Sequence, residues 1–202
     1  MSEAVVSLQT YCQTGAGGTD GILSILPVQL KSGEGNEIIQ TYAFLDPGST
    51  DTFCSEALMR KLNLKGRKAQ ISLSTMGSKS SGSSYMLRNL KISGLTGKWF
   101  YDLPEVVYTQ KKMPVSTQNM IKKEELAKWP YLDGVTIPRI QAEVELLIGT
   151  NASNLLEPWH VINSYGDGPY AIKTLLGWVV NGPRSKNSKE QSESGFPATT
   201  GK

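Results

Sequence analysis

A carboxylate set at the end of an apolar run is the first feature of this chain that could do chemistry. It stands in Tyr42-Ala43-Phe44-Leu45-Asp46-Pro47-Gly48-Ser49-Thr50. The run Tyr42 to Leu45 reads as a buried strand. Pro47 fixes its own φ, and Gly48 permits backbone conformations that other residues resist. The chain therefore turns just after Asp46 and holds the carboxylate on a rigid loop at the end of a core strand. A charge so close to a core costs free energy unless it is hydrogen-bonded, paired or shares a proton. Two such carboxylates meeting across a two-fold axis would share one proton. The ionised one could then act as general base on a water, and the protonated one could donate to a carbonyl. Asp-Pro-Gly is also an ordinary turn, and a three-residue match is weak by itself.

A second segment lies about a hundred residues on: Val144-Glu145-Leu146-Leu147-Ile148-Gly149-Thr150-Asn151. It too is an apolar strand that ends in glycine. The order "FLDPGST", the helix-like "SEALMRKLNL", a Gly/Ser-rich hairpin, "ELLIGTNASNLLEPW" and "AIKTLLGWVVNGP" resembles the aspartic protease domain of Pao/BEL-type LTR retrotransposon polyproteins. The resemblance covers about Thr19 to Pro183. Its last two motifs are more distinctive than the Asp-x-Gly. The departure is at Pro47, where retropepsins in general carry Ser or Thr.

The resemblance implies a mainly β chain with a retropepsin-like closed barrel, one lobe per chain, one or two short helices and a flap hairpin. It implies Asp46 as the catalytic residue, with Pro47, Gly48 and Ser49 supporting the loop. Gly48 would donate its N–H to the carboxylate, and Ser49 its hydroxyl to the outer oxygen of Asp46. Met76, Gly77 and Ser78 would belong to the flap that closes over a peptide, and Gly and Ser suit a lid that must move. Ile148 and Gly149 would run beside the catalytic loop. The implied reaction is hydrolysis of peptide bonds in a retroelement polyprotein, with no cofactor, no metal and no covalent adduct. Asp20-Gly21 and Asp133-Gly134 lack the apolar strand before and the Ser after, so the sequence shows one catalytic loop. A catalytic chain of this kind must act as a homodimer, each subunit giving one Asp46. At Pro47 the usual Ser or Thr bonds across the dimer axis; proline has no hydroxyl and no N–H. A catalytically weak or inactive module for dimerisation or peptide binding is the alternative.

Length and composition bound these readings. The chain has 202 residues, enough for a domain with a real core. Its net charge of +3 does not imply nucleic-acid binding, and no sheet face interleaves aromatic with basic residues. Cys12 and Cys54 are the two cysteines, and neither a signal peptide nor a membrane-spanning run is visible. That points to a reducing, cytoplasmic (intracellular) setting, and the resemblance implies one within retroelement particles. Cys54 reads as a buried packing residue. One histidine, His160, leaves no Cys/His metal cluster.

The elements that must position Asp46 follow from periodicity. Ile22 to Leu30 alternates as a strand, and Glu37 to Leu45 returns beside it after a Gly-rich turn. Thr52 to Leu64 reads as helix, with Ser55 as N-cap and Arg60 and Lys61 near its end. Gln70 to Thr75 and Tyr85 to Ile92 read as strands around the Gly/Ser loop 76–84, and Trp99 to Tyr108 as another strand. Val144 to Ile148 is the second core strand. A short helix follows over 151–156, then one last strand over 172–180. Residues 1–18 read as a flexible leader, 19–183 as the protease domain with 109–140 as an insertion packed on its outside, and 184–202 as a disordered tail.

Overall fold

The computed structural model describes residues 8–11, 21–33, 35–75 and 78–184. Strands dominate and the helices are few and short, as the sequence predicts. In chain order the strands are β1 (Leu8–Tyr11), β2 (Gly21–Ile22), β3 (Ile25–Ser32), β4 (Ile39–Leu45) and β5 (Phe53–Ser55). Helix α1 (Glu56–Lys61) follows, then β6 (Arg67–Thr75), β7 (Ser78–Leu87), β8 (Leu90–Gly94), β9 (Tyr101–Asp102) and β10 (Val107–Gln110). After α2 (Lys123–Leu126) come β11 (Val144–Ile148) and α3 (Ser153–Leu156). The chain then forms β12 (His160–Ile162), β13 (Tyr170–Thr174) and β14 (Gly177–Pro183).

Ten strands make one sheet in the order β1-β6-β7-β10-β5-β11-β4-β3-β8-β9, and β12-β13-β14-β2 make a second. The large ladder runs from β1 to β9, and no pairing among the described residues joins those two edges. Its centre is buried on both faces, which is why its strands read as nearly continuous apolar runs. Leu26, Val28, Ala43, Leu45, Leu146 and Ile148 face one core; Ile25, Tyr42, Phe44, Phe53 and Leu147 face the other. The period-2 alternation of a strand separates the two sets.

Several expected elements differ. The expected helix begins as strand: Phe53 and Cys54 pair with β11, and the helix starts only after Ser55. Ser55 is its N-cap as expected, its Oγ accepting from the Leu58 N–H at 2.9 Å. The Gly/Ser stretch is not a loop from 78 onward. It is the return strand of a long hairpin in which Thr75 pairs with Ser78 and Arg67 with Met86. Serines can serve here because backbone ladder bonds need no side chain. Trp99 to Tyr108 divides into β9 and β10. The last strand is a hairpin with Leu175-Leu176 at its turn. There Thr174 Oγ1 accepts from the Leu176 N–H at 3.2 Å, and Gly177 takes φ +136°. Within the expected leader, Leu8–Tyr11 pairs in parallel with β6. The segment 109–140 does more than coat the outside. Met113, Val115 and Met120 enter the second core, and Ile121, Leu132 and Val135 pack on Ala171 and Val180 of the small sheet.

Candidate active site

The site begins with the order β5-β11-β4 at the centre of the large sheet. β4 and β11 run parallel, with Ile148 opposite Leu45. β5 runs antiparallel on the other side of β11, with Phe53 opposite Leu147. The chain leaves β4 at Leu45 and enters β5 at Phe53, so residues 46–52 must arch over the end of β11. That arch carries Asp46.

Its conformation is fixed from both ends. The Asp46 N–H donates to the Ile148 carbonyl at 2.9 Å, continuing the β4–β11 ladder by one step. The Ser49 N–H donates to the Asp46 carbonyl at 3.1 Å and closes the turn through Pro47 and Gly48. From the turn after β11 the Thr150 N–H donates to the Ser49 carbonyl at 2.8 Å, and the Asn151 N–H to the Thr50 carbonyl at 3.2 Å. Thr52, fully buried, donates from Oγ1 to Asn151 Oδ1 at 2.7 Å and accepts from the Gly149 N–H at 3.2 Å. Gly149 is there because nothing larger fits. A Cβ on it would lie 2.3 Å from the Asp51 carbonyl oxygen and 2.8 Å from that of Ser49.

Asp46 is 5 % exposed, and the Gly48 N–H donates to its Oδ1 at 2.9 Å. The expected support from Gly48 is therefore present. The expected support from Ser49 is not. Its hydroxyl donates to the Asp51 carbonyl at 2.8 Å. The 46–49 turn carries Ser49 past the carboxylate and buries it under the arch, where that carbonyl is the acceptor in reach. Ser49 therefore holds the loop rather than the Asp46 oxygen. Pro47 lies exposed at the tip of the turn, and Ile148 and Gly149 are buried against the arch as expected. Of the expected flap residues, Met76 and Gly77 lie outside the described residues; Ser78 pairs with Thr75 at the end of the hairpin.

Two features escaped the sequence. Thr52 and Asn151 form the polar clasp between the loop and β11. The signal was their place, each a polar residue just outside an apolar strand. The other is Glu145, 4 % exposed inside an apolar strand. The register slips between Val144 and Leu146, and this bulge turns Glu145 to the same side as Leu146. There Lys61 Nζ donates to its Oε2 at 2.7 Å, Thr41 Oγ1 to Oε2 at 3.3 Å and Ser55 Oγ to Oε1 at 3.2 Å. Burial and then the Glu145 charge push the neighbouring Cys54 thiol up to about 12, so it is no nucleophile. Burial, then the Asp51 carboxylate, also push the Tyr108 phenol up.

A carboxylate held at one rigid place, with a backbone N–H on one oxygen, can orient a water and accept its proton. Among the described residues no group of three or more His, Cys, Asp or Glu is placed to hold a metal ion. No helix there is long and apolar enough to cross a membrane. Residues 29–120 match the model of the aspartyl protease family. The match contains Asp46 and the β6–β7 hairpin and stops before β11. No curated protein matches the chain, and no solved structure does.

Proposed function

We propose that this chain is an aspartic endopeptidase that works as a homodimer, with a water activated between the two Asp46 carboxylates. One observation carries the reading: a buried carboxylate on a loop clasped to the end of β11, with the Gly48 N–H on its oxygen. The family match over that loop supports it. In this reading the β6–β7 hairpin is the flap, and Met76, Gly77 and Ser78 are the flap residues that the resemblance implies. Residues 19–183 form one retropepsin-like lobe, whose strands close around its core. The substrate is a polypeptide, and the resemblance to Pao/BEL-type domains points to a retroelement polyprotein processed in the cytoplasm. Nucleic acid is no part of its work.

Asp46→Asn tests it. The amide keeps the shape and loses the base. The variant is expected to fold as the parent does, to show the same mass at two concentrations, and to lose cleavage of a peptide library. Cleavage at the parent rate would remove Asp46 from the chemistry. Pro47 favours a second reading, a dimerisation or peptide-binding module without activity, because it brings no hydroxyl to the dimer axis. Binding of library peptides by a parent protein that cleaves none of them would select that reading.

A further inference from the structure

The small sheet carries a row of residues with no part in the Asp46 site. His160 on β12 stands opposite Lys173 on β13, and Lys173 opposite Trp178 on β14. The His160 ring meets the indole of Trp178 edge-on, with centroids 5.7 Å apart at 88°. Lys173 Nζ lies 5.9 Å from the centre of that indole. A cation near an aromatic face gains from the ring quadrupole, yet keeps its N–H donors for another partner. Lys173 belongs to none of the ion pairs among the described residues.

Beside this row the two sheets leave a cavity of about 410 Å³. That is in the range of sites that enclose small molecules, roughly 300–1,000 Å³. Leu26, Leu176 and Trp178 give it an apolar wall, Thr96 and Thr136 bring hydroxyls, and Lys173 is the one charged group in its lining. No residue of the arch 46–52 or of 149–151 lines it. Apolar walls favour an apolar body by the area they remove from water. A lone ammonium at such a wall favours a carboxylate, since a charge-assisted hydrogen bond is about twice as strong as a neutral one.

We propose that this cavity is a second binding site, for a carboxylate with an apolar or aromatic body, its anion on Lys173 and its body against Trp178 and Leu176. Such an acid is either a free small molecule or the C-terminal end of a peptide. The proposal does not depend on the peptidase reading. The test is a titration of the isotope-labelled full chain with phenylacetate and with phenylacetamide, followed by nuclear magnetic resonance. The acid is expected to shift the amides of Lys173 and Gly177 and the indole N–H of Trp178 along one saturable curve. The amide is expected to bind at least about tenfold more weakly. Lys173→Met, a change at an exposed side chain, should lose the same factor for the acid and leave the amide unchanged. N-acetyl-Ala-Phe with a free carboxylate distinguishes the sources: binding tighter than phenylacetate assigns the site to a chain end, weaker binding to a free acid. No saturable shift with either acid overturns the proposal. Equal affinity for phenylacetate and its amide, or a Lys173→Met chain that binds the acid as the parent does, overturns it as well.

Discussion

Gly149 shows at the scale of a single residue how little room the Asp46 loop leaves. Its φ of −96° is open to any residue, so conformational freedom is not the reason for glycine. The reason is the two carbonyl oxygens that a Cβ would strike. Both belong to backbone and cannot swing aside. Gly149→Ala is therefore expected to destabilise the fold by about 3 kcal/mol, at the upper end of overpacking costs. Gly82, with nothing within 4 Å of a Cβ, is the control, and Gly82→Ala should leave the denaturation midpoint nearly unmoved. Equal midpoints for the two variants would mean that the loop yields. Glu145 poses a different question at the same scale. Its carboxylate is buried, while the side chain of Lys61 is 49 % exposed. Exposed pairs couple by about 0.2–1 kcal/mol, and a pair broken in a protein interior costs more. A double-mutant cycle of Lys61→Met and Glu145→Gln is expected to give a coupling above about 1 kcal/mol. A coupling near zero would show that Thr41 and Ser55 suffice for the carboxylate.

Between elements outside the large sheet, Arg184 ties the end of β14 to α2 and to the segment before it. It follows β14 directly, at the first position of the expected tail, and is held in place. Its Nη1 donates to both Glu125 oxygens, at 2.6 and 2.7 Å, and its Nη2 to the Gln118 and Met120 carbonyls. Partial burial alone would raise the Glu125 carboxyl. The Lys122 N–H and Arg184 outweigh that and hold it below its ordinary value of 4.5. A carboxyl depressed by folding adds stability above its unfolded value, and that part is lost as pH falls through the folded value. Arg184→Gln is expected to cost about 1 kcal/mol at neutral pH, with the difference from the parent shrinking once pH drops below about 4.5. Urea denaturation at several pH values reads both numbers, and a pH-independent difference would assign the cost to the carbonyl bonds instead. How far the elements were legible follows from what set them. β3, β4 and β11 were readable because burial on one or both faces wrote apolar runs into the chain. The capping of α1 was readable from Ser55 itself. The bulge at Glu145 was not, because it depends on a register with β4 that no local pattern records. The extension of β7 through serines was hidden for a related reason, since the ladder uses backbone groups only. The hairpin turn at Leu175-Leu176 was hidden because apolar turn residues look like more strand.

For the molecule as a whole, the question is how two copies would meet. In the proposed dimer the two arches face each other across the axis, and Pro47 is the exposed tip of each. The arch has holds that do not involve the side chain of position 47. The Asp46–Ser49 turn bond, the Gly48 N–H and the clasp of Thr52 with Asn151 already hold it. What position 47 can still contribute is a bond to the other copy, and proline has no donor to give. Pro47→Thr restores a hydroxyl. One such bond contributes roughly 0.5–1.5 kcal/mol net, and symmetry makes two, so the dimer gains roughly 1–3 kcal/mol. That is about a five- to 150-fold fall in the dissociation constant. The same change frees the unfolded chain and costs each subunit up to about 1 kcal/mol of fold stability. The two effects act on different equilibria and separate cleanly. Sedimentation equilibrium reads self-association, and thermal unfolding at one fixed concentration reads the fold. The expected result is tighter association with a slightly lower midpoint. A Pro47→Thr protein that associates no better than the parent would show that the tips do not meet across an axis, or that the dimer manages without their bond. Asp46→Asn activity data would then distinguish those two cases, since only a dimer that brings both carboxylates together can cleave.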